Sequence, residues 1–243
     1  MQHRYVGDVG DFVKMGLLRS LQVGRRLGVA WWLFPDETNK RDGRHITYFQ
    51  RHPEWRDLDA ALFDGLARIV QSGDRQISAL QNPAFLPNAL FCDEVIPTEA
   101  TSTGRLVSRA AWFQRVKDAL VGCNLVFVDP DNGLEPMSLK PGATAAGKCV
   151  SLAQLRSLSE PGRTLIVYHH QSRRKGGHLA EIDYLAERLR NIGFGTVDAV
   201  RSRPYSPRAF FILDAPTDLR VCAKELTLRW SSLLSWHPDA SAK

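Results

Sequence analysis

Apolar and polar positions alternate along this chain with two periods, and the two periods sort it into elements. Residues 11–28 carry Phe12, Val13, Leu17, Leu18 and Leu21 on one helical stripe that ends on a glycine. Residues 29–35, VAWWLFP, form a short continuous apolar run of the kind a buried strand shows, and 36–45 is a polar loop. A second amphipathic helix is expected over 55–73, with Gly73 as its stop. A strand is expected over 89–97, a helix over 106–120 and a buried strand over 124–130. A short helix over 151–159, a buried strand over 163–170 and a helix over 178–193 capped by Gly193 follow. The stretches 195–203 and 208–215 read as strands joined by Pro204-Tyr205-Ser206-Pro207, a link short enough to make them an antiparallel hairpin.

Strands alternating with helices imply an α/β fold: a Rossmann-like, mostly parallel sheet with helices on both faces and a C-terminal antiparallel strand hairpin. The length of 243 residues fits a single domain over 1–243, with a helical insertion around 50–88. A mixed sheet of this kind is typical of class I methyltransferases. A fold does not fix a function, but it says where to look, in the crevice at the carboxyl ends of the strands.

The residues just after the strands are rich in acids and histidine. Asp36 and Glu37 follow the first strand, Asp93 and Glu94 close the second, and Asp129, Asp131 and Asn132 follow LVFV at 125–128. His169, His170 and Gln171 follow the strand at 163–168. Turn acids cap helices, and polar residues naturally follow strands, so each set taken alone has a structural explanation. Four such sets on one edge of a sheet point to a shared site. No G-x-G-x-x-G follows the first strand, where FPDETNKRDG offers one glycine, Gly43. Near the N-terminus, Gly7, Asp8, Gly10, Asp11 and Lys14 crowd into eight residues, where either aspartate suits a helix N-cap.

Composition narrows the partners. Hydrophobic residues make up 44% and charged residues 24%, ordinary for a globular protein, and no run of about 18 apolar residues is present to span a membrane. The N-terminal residues lack an apolar core of signal-peptide length, which leads to the expectation of a cytoplasmic protein. Cys92, Cys123, Cys149 and Cys222 are scattered without a CxxC pair, so they read as reduced cysteines in or near the core. The net charge of +6 allows an anionic partner. Basic residues gather in HHQSRRKGGH (169–178) and RSRPYSPR (201–208). There His169, His170, Arg173, Arg174, Arg201 and Arg203 are candidates to bind nucleic acid, with RNA the expected partner.

Three islands bear a family resemblance. Gly7-Asp8-Val9-Gly10-Asp11-Phe12-Val13-Lys14 resembles the N-terminal Gly-Asn-x-Ala-Asp-x-x-Lys signature of the bacterial 23S rRNA adenine-N6 methyltransferases. Glu94-Val95-Ile96-Pro97-Thr98-Glu99 is similar to their Glu-Leu-His-Pro-x-Asp segment, and Val128-Asp129-Pro130 falls where they carry Asp-Pro-Pro-Tyr-Glu. Here Asp-Pro-Asp-Asn-Gly stands in place of Asp-Pro-Pro-Tyr. The resemblance implies a class I fold using S-adenosylmethionine, with Asp11, Asp36, Glu37 and Glu94 on the cofactor side. It makes Asp129 the acceptor for the target adenine amine, with Lys14, Asp131 and Asn132 beside it in the catalytic group. An exocyclic amine needs orientation and an acceptor for its proton as it attacks a methyl group. The base would have to be flipped or single-stranded.

Two other readings stay open. Asp36, Glu37, Asp129, Asp131 and Asn132 are hard oxygen ligands of the kind Mg²⁺ or Mn²⁺ prefers, which suits a metal-dependent hydrolase or nuclease, with His169 and His170 as further ligands or as acid and base. A non-catalytic nucleic-acid-binding protein on the same scaffold would need only the basic loops.

Overall fold

The computed structural model describes residues 1–37, 43, 45–172 and 174–239 of the chain. Its elements follow the expected order. Helix α1 (Val9–Leu21) leads into strand β1 (Leu27–Ala30). The one-turn helix α2 (Tyr48–Arg51), α3 (Ala60–Ser72) and the one-turn α4 (Ile77–Leu80) fill the expected helical stretch before β2 (Leu90–Cys92). Helix α5 (Ser102–Ala119) and strand β3 (Leu125–Val128) follow. Next come the two-residue strands β4 (Gly133–Leu134) and β5 (Cys149–Val150) and helix α6 (Leu152–Leu158). The chain continues through β6 (Thr164–His170), α7 (Gly177–Asn191), β7 (Val197–Ser202) and β8 (Arg208–Leu213), and closes with α8 (Thr217–Arg229) and β9 (Leu234–His237).

Seven strands form one sheet in the order β2-β1-β3-β6-β8-β7-β9. Strands β2, β1, β3 and β6 pair in parallel, whereas β8 is antiparallel to both β6 and β7, and β9 is antiparallel to β7. Five strands therefore run one way, and β8 and β9 are reversed. This is a Rossmann-like α/β fold with the expected hairpin at β7–β8.

Side-chain alternation along the strands feeds two cores, one on each face. Val29, Phe127, Ile166, Val200 and Phe210 pack under α1, α3 and α8. Ala30, Val126, Val128, Val167 and Phe211 pack under α5, α6 and α7. Being covered on both faces is why β1 and β3 are apolar throughout. On the α1 face, Phe12 stacks on Trp230 at 5.0 Å and meets Phe63 edge-on at 5.8 Å. Cys123 and Cys149 are buried, Cys92 and Cys222 half-buried, and all four are free thiols. No helix among the described residues is long and apolar enough to cross a membrane.

The strand order fixes where side chains can converge. Strand β1 lies between β2 and β3, and the connections leave it in opposite directions, so the crevice of this sheet opens between the carboxyl ends of β1 and β3. Met1 lies there, and its amino group donates to Trp32 O at 3.1 Å and to Asp129 O at 3.0 Å.

Candidate active site

Strand β3 delivers Asp129 to the crevice. The ladder runs one residue past the strand, with Asp129 N donating to Ala30 O at 2.9 Å, and Pro130 then turns the chain away. The turn is tied down by the small β4–β5 pair and by Asn132 N, which donates to Lys148 O at 2.8 Å. Gly133 makes this possible. Its φ is +98°, and a Cβ there would lie 2.4 Å from the His169 ring.

Helix α1 brings the opposing charges. Asp8 is its N-cap, accepting from Gly10 N at 2.7 Å and Asp11 N at 3.3 Å. Asp11 and Lys14, three residues apart, share the next turn. Lys14 Nζ lies 2.9 Å from Asp11 Oδ1 and 2.7 Å from Asp129 Oδ2. It sits 5.6 Å from the ring centroids of both Trp31 and Tyr168. Asp11 is held from behind by Gly7 N, which donates to Oδ2 at 2.9 Å; Gly7 has φ +80°. Asp129 Oδ1 accepts no hydrogen bond from the described residues.

Burial sets the electrostatics. It opposes a charge on Lys14, but the Asp11 and Asp129 carboxylates more than offset it and hold the ammonium well above its ordinary pKa. At Asp129 burial wins, and its carboxyl is pushed up although Lys14 pulls it down. Asp8 is likewise pushed up by burial, against the pull of Arg208. A lysine locked in its charged form therefore faces Asp129, a carboxyl whose proton is held more tightly than usual. Such groups concentrate where acid–base chemistry occurs.

These side chains line a cavity of about 450 Å³, with Asp131, Asn132, Tyr168, His170, Ser206 and Arg208 in the remaining wall. That volume lies in the range of small-ligand sites. Arg208 is buried at the first residue of β8 and donates to Ser206 O at 2.8 Å. His170, directly opposite it in the β6–β8 register, bridges Tyr168 OH at 3.2 Å and Ser206 Oγ at 3.1 Å. Burial pushes the Tyr168 phenol up to about 12, so it is neutral at physiological pH.

His169 does a different job. Its Nδ1 accepts from Leu134 N at 3.1 Å, so the proton is on Nε2, which faces Glu181 Oε1 at 3.3 Å. Glu181 also accepts from Ser172 N at 3.0 and 3.1 Å. Burial works against the charge of Glu181, but these hydrogen bonds prevail and bring its pKa down to about 2. His169 thus pins the β4 turn to α7 from within the structure.

Not every sequence candidate reaches the cavity. Asp11, Lys14, Asp129, Asp131, Asn132 and His170 line it. Glu37 lies alongside, since Lys148 Nζ is 2.6 Å from Glu37 Oε2 and 3.7 Å from Asp131 Oδ2. Asp36 is near Arg4 at 3.8 Å with its side chain largely in solvent. Glu94 is elsewhere: it follows the edge strand β2 and closes on exposed Arg115 of α5, with Nε 2.9 Å from Oε2. Among the basic candidates, Arg174 lies over the Tyr184 ring at 3.5 Å. Arg201 donates to His178 Nδ1 at 3.0 Å, and Arg203 donates to Ser231 O. Arg173 lies outside the described residues, as do six of the ten positions of the 36–45 loop, Arg44 among them.

Sequence reading passed over Tyr168 and Arg208. The first lies in the apolar run of a buried strand, and the second reads as one more residue of a basic loop. No group of three or more His, Cys, Asp or Glu among the described residues is arranged to hold a metal ion. No protein-family model matches this chain, and no curated protein matches it.

Proposed function

We propose that this protein is a nucleic-acid-modifying enzyme that acts on the amine of a nucleobase. The polar cavity receives the base, and Asp129 accepts a hydrogen bond from its amine. One observation carries the reading. Asp129 is buried at the mouth of the central strand, one oxygen is fixed by Lys14, and the other is free of hydrogen bonds from the described residues beside the cavity. A rigid acceptor whose carboxyl is pushed up by burial is suited to orient an amine and take up its proton. Arg208 and Lys14 supply positive charge, and Tyr168 puts an aromatic ring in the same wall. A base enters such a cavity only when flipped or single-stranded.

Methyl transfer is the form of this reaction favoured by the closing β7–β8 hairpin and by Asp129-Pro130. The residues assigned to S-adenosylmethionine do not fit it as a set. Glu94 is bound to Arg115 away from the cavity, Asp36 lies at the rim, and Asp11 is already engaged by Gly7 N and Lys14. The role of Asp129 does not depend on that set. Divalent-metal hydrolysis fits less well, because the position between the Asp11 and Asp129 carboxylates is filled by Lys14 Nζ.

The test uses hexa-adenylate RNA, labelled S-adenosylmethionine and Mn²⁺ with wild type and Asp129→Asn. Wild type is expected to bind the RNA, and methyl transfer is expected to fall roughly 100-fold in the variant. A ligand present at about 100 times its Kd should add about 2.7 kcal/mol to stability. Binding of RNA without transfer would rule out the methyl-transfer form. Stabilisation by Mn²⁺ with cleavage of the RNA would replace the reading with hydrolysis, and failure to bind nucleic acid would sink it.

A further inference from the structure

A second cavity, about 590 Å³, adjoins the first, and Asn132 and His170 line both. Its character is different. Leu134, Met137, Leu139 and Leu185 make its walls apolar, and Met137 is 81% exposed at the rim. Tyr184 of α7 lies in the wall with the Arg174 guanidinium 3.5 Å from its ring centroid and that of Arg188 at 5.8 Å. Arg188 is fixed by its hydrogen bond to Glu135 O at 2.8 Å.

Two guanidinium groups on one ring repel each other. Neither forms an ion pair with a described carboxylate, and the two acids of this cavity are engaged elsewhere, Glu181 by His169 and Ser172 N and Glu135 Oε1 by Leu152 N at 3.0 Å. The site therefore combines two guanidinium groups that make no ion pair with a described carboxylate, a flat stacked platform and an apolar slot. A guanidinium plane lying on an aromatic ring is a surface on which nucleobases stack, and the same cations suit a phosphate.

We propose that the second cavity receives the base of a neighbouring nucleotide in the same single strand, stacked on the Arg174–Tyr184 platform with its phosphate against Arg174 and Arg188. The inference rests on the nucleobase reading of the polar cavity and deepens it: the ligand is a single-stranded segment at least two nucleotides long. The shared wall at Asn132 and His170 places adjacent bases in adjacent cavities.

The test is fluorescence anisotropy with labelled hexa-adenylate RNA over a range of salt concentrations. Tyr184→Ala is expected to weaken binding about tenfold, and Tyr184→Phe, which keeps the ring, is expected to bind as wild type does. Arg174→Gln combined with Arg188→Gln should reduce the salt slope by about 1. Arg174 is exposed, so Arg174→Gln alone reads the platform even if Tyr184→Ala does not fold. Equal affinity and equal salt slope in the folded variants would overturn the inference. If Arg208→Gln weakens binding while the platform variants do not, the polar-cavity reading survives and this one falls. If wild type does not bind hexa-adenylate, the polar-cavity reading falls first and takes this inference with it.

Discussion

Two buried cations sit at opposite ends of the sheet, and they are satisfied in opposite ways. Arg163, just before β6, donates to three backbone carbonyls: Cys123 O at 2.8 Å, Leu158 O at 2.9 Å and Leu120 O at 3.1 Å. Its carboxylate partner, Glu160, is mostly in solvent. Arg163 therefore ties together the ends of α5, α6 and β3, using groups that do not titrate. Lys14, at the other end, is held by two carboxylates and lies beside a cavity. A cation that only has to hold a fold is best served by fixed dipoles. One held by ionisable groups next to open space makes its surroundings sensitive to protons and ligands, at a cost in desolvation.

The largest expected effect separates these two cations. Lys14→Met and Arg163→Met should each cost about 3–5 kcal/mol at neutral pH, since each leaves buried partners unsatisfied. Their pH dependence should differ. Without Lys14, the main opposition to the upward push of burial on the Asp129 carboxyl is lost, leaving the weaker pull of the Met1 amino group. A carboxyl raised in the folded state contributes stability at low pH that is lost as pH rises through its folded pKa. Urea denaturation of Lys14→Met should therefore show stability recovering toward acid, whereas the deficit of Arg163→Met should vary little. Identical pH profiles would erase the distinction.

Next in size is Asp129→Asn, which should lower turnover roughly 100-fold while the melting temperature moves by only a few degrees. Loss of stability with retained turnover would make Asp129 a structural residue like Arg163. A smaller effect is expected around His169. Glu181, lowered to about 2, stabilises the fold above its ordinary pKa of 4.5, and that contribution is lost as pH falls toward 2. Burial and Arg201 lower His178 to about 4, so its contribution is lost as pH falls from its ordinary 6.5 through 4. Acid titration of stability should flatten below pH 4.5 in Glu181→Gln and between pH 6.5 and 4 in His178→Gln. The smallest effect belongs to Glu94→Gln. It breaks an exposed pair of little worth, so neither melting temperature nor turnover should change. A large loss of turnover would return Glu94 to the site.

Much of this architecture was legible in the sequence, because buried strands and amphipathic helices leave different periods. The last helix and strand were not. In α8, Leu219, Ala223 and Leu226 are buried while Val221 and Leu228 are exposed, so apolar residues fall on both sides and blur the stripe. In the site, Asp129, Asp131 and Asn132 were found because they follow a strand buried on both faces. Lys14 and Asp11 were found because their density exceeds what a cap needs. Glu94 was misplaced for a topological reason: β2 is the sheet edge, and the residue after an edge strand can turn outward to α5. Arg208 and Tyr168 were missed because their value depends on register. Only the pairing of β6 with β8 sets Arg208 opposite His170, and no local pattern announces that.

The reversal of β8 has a consequence for how such a site can diversify. Because this strand runs against its neighbours, its first residue, Arg208, stands on the same rim as the last residues of β3 and β6. The turn before it, Pro204 to Pro207, hangs over the polar cavity, with Ser206 in the wall and Pro207 O accepting from Gln171 N at 3.1 Å. Exchanges at Ser206 would reshape the entrance while leaving the sheet in place, whereas Tyr205 is tied to the core by its edge-on contact with Trp55 at 6.4 Å. The hairpin turn is thus the part of the wall that can change what the cavity admits without moving the Lys14–Asp129 contact.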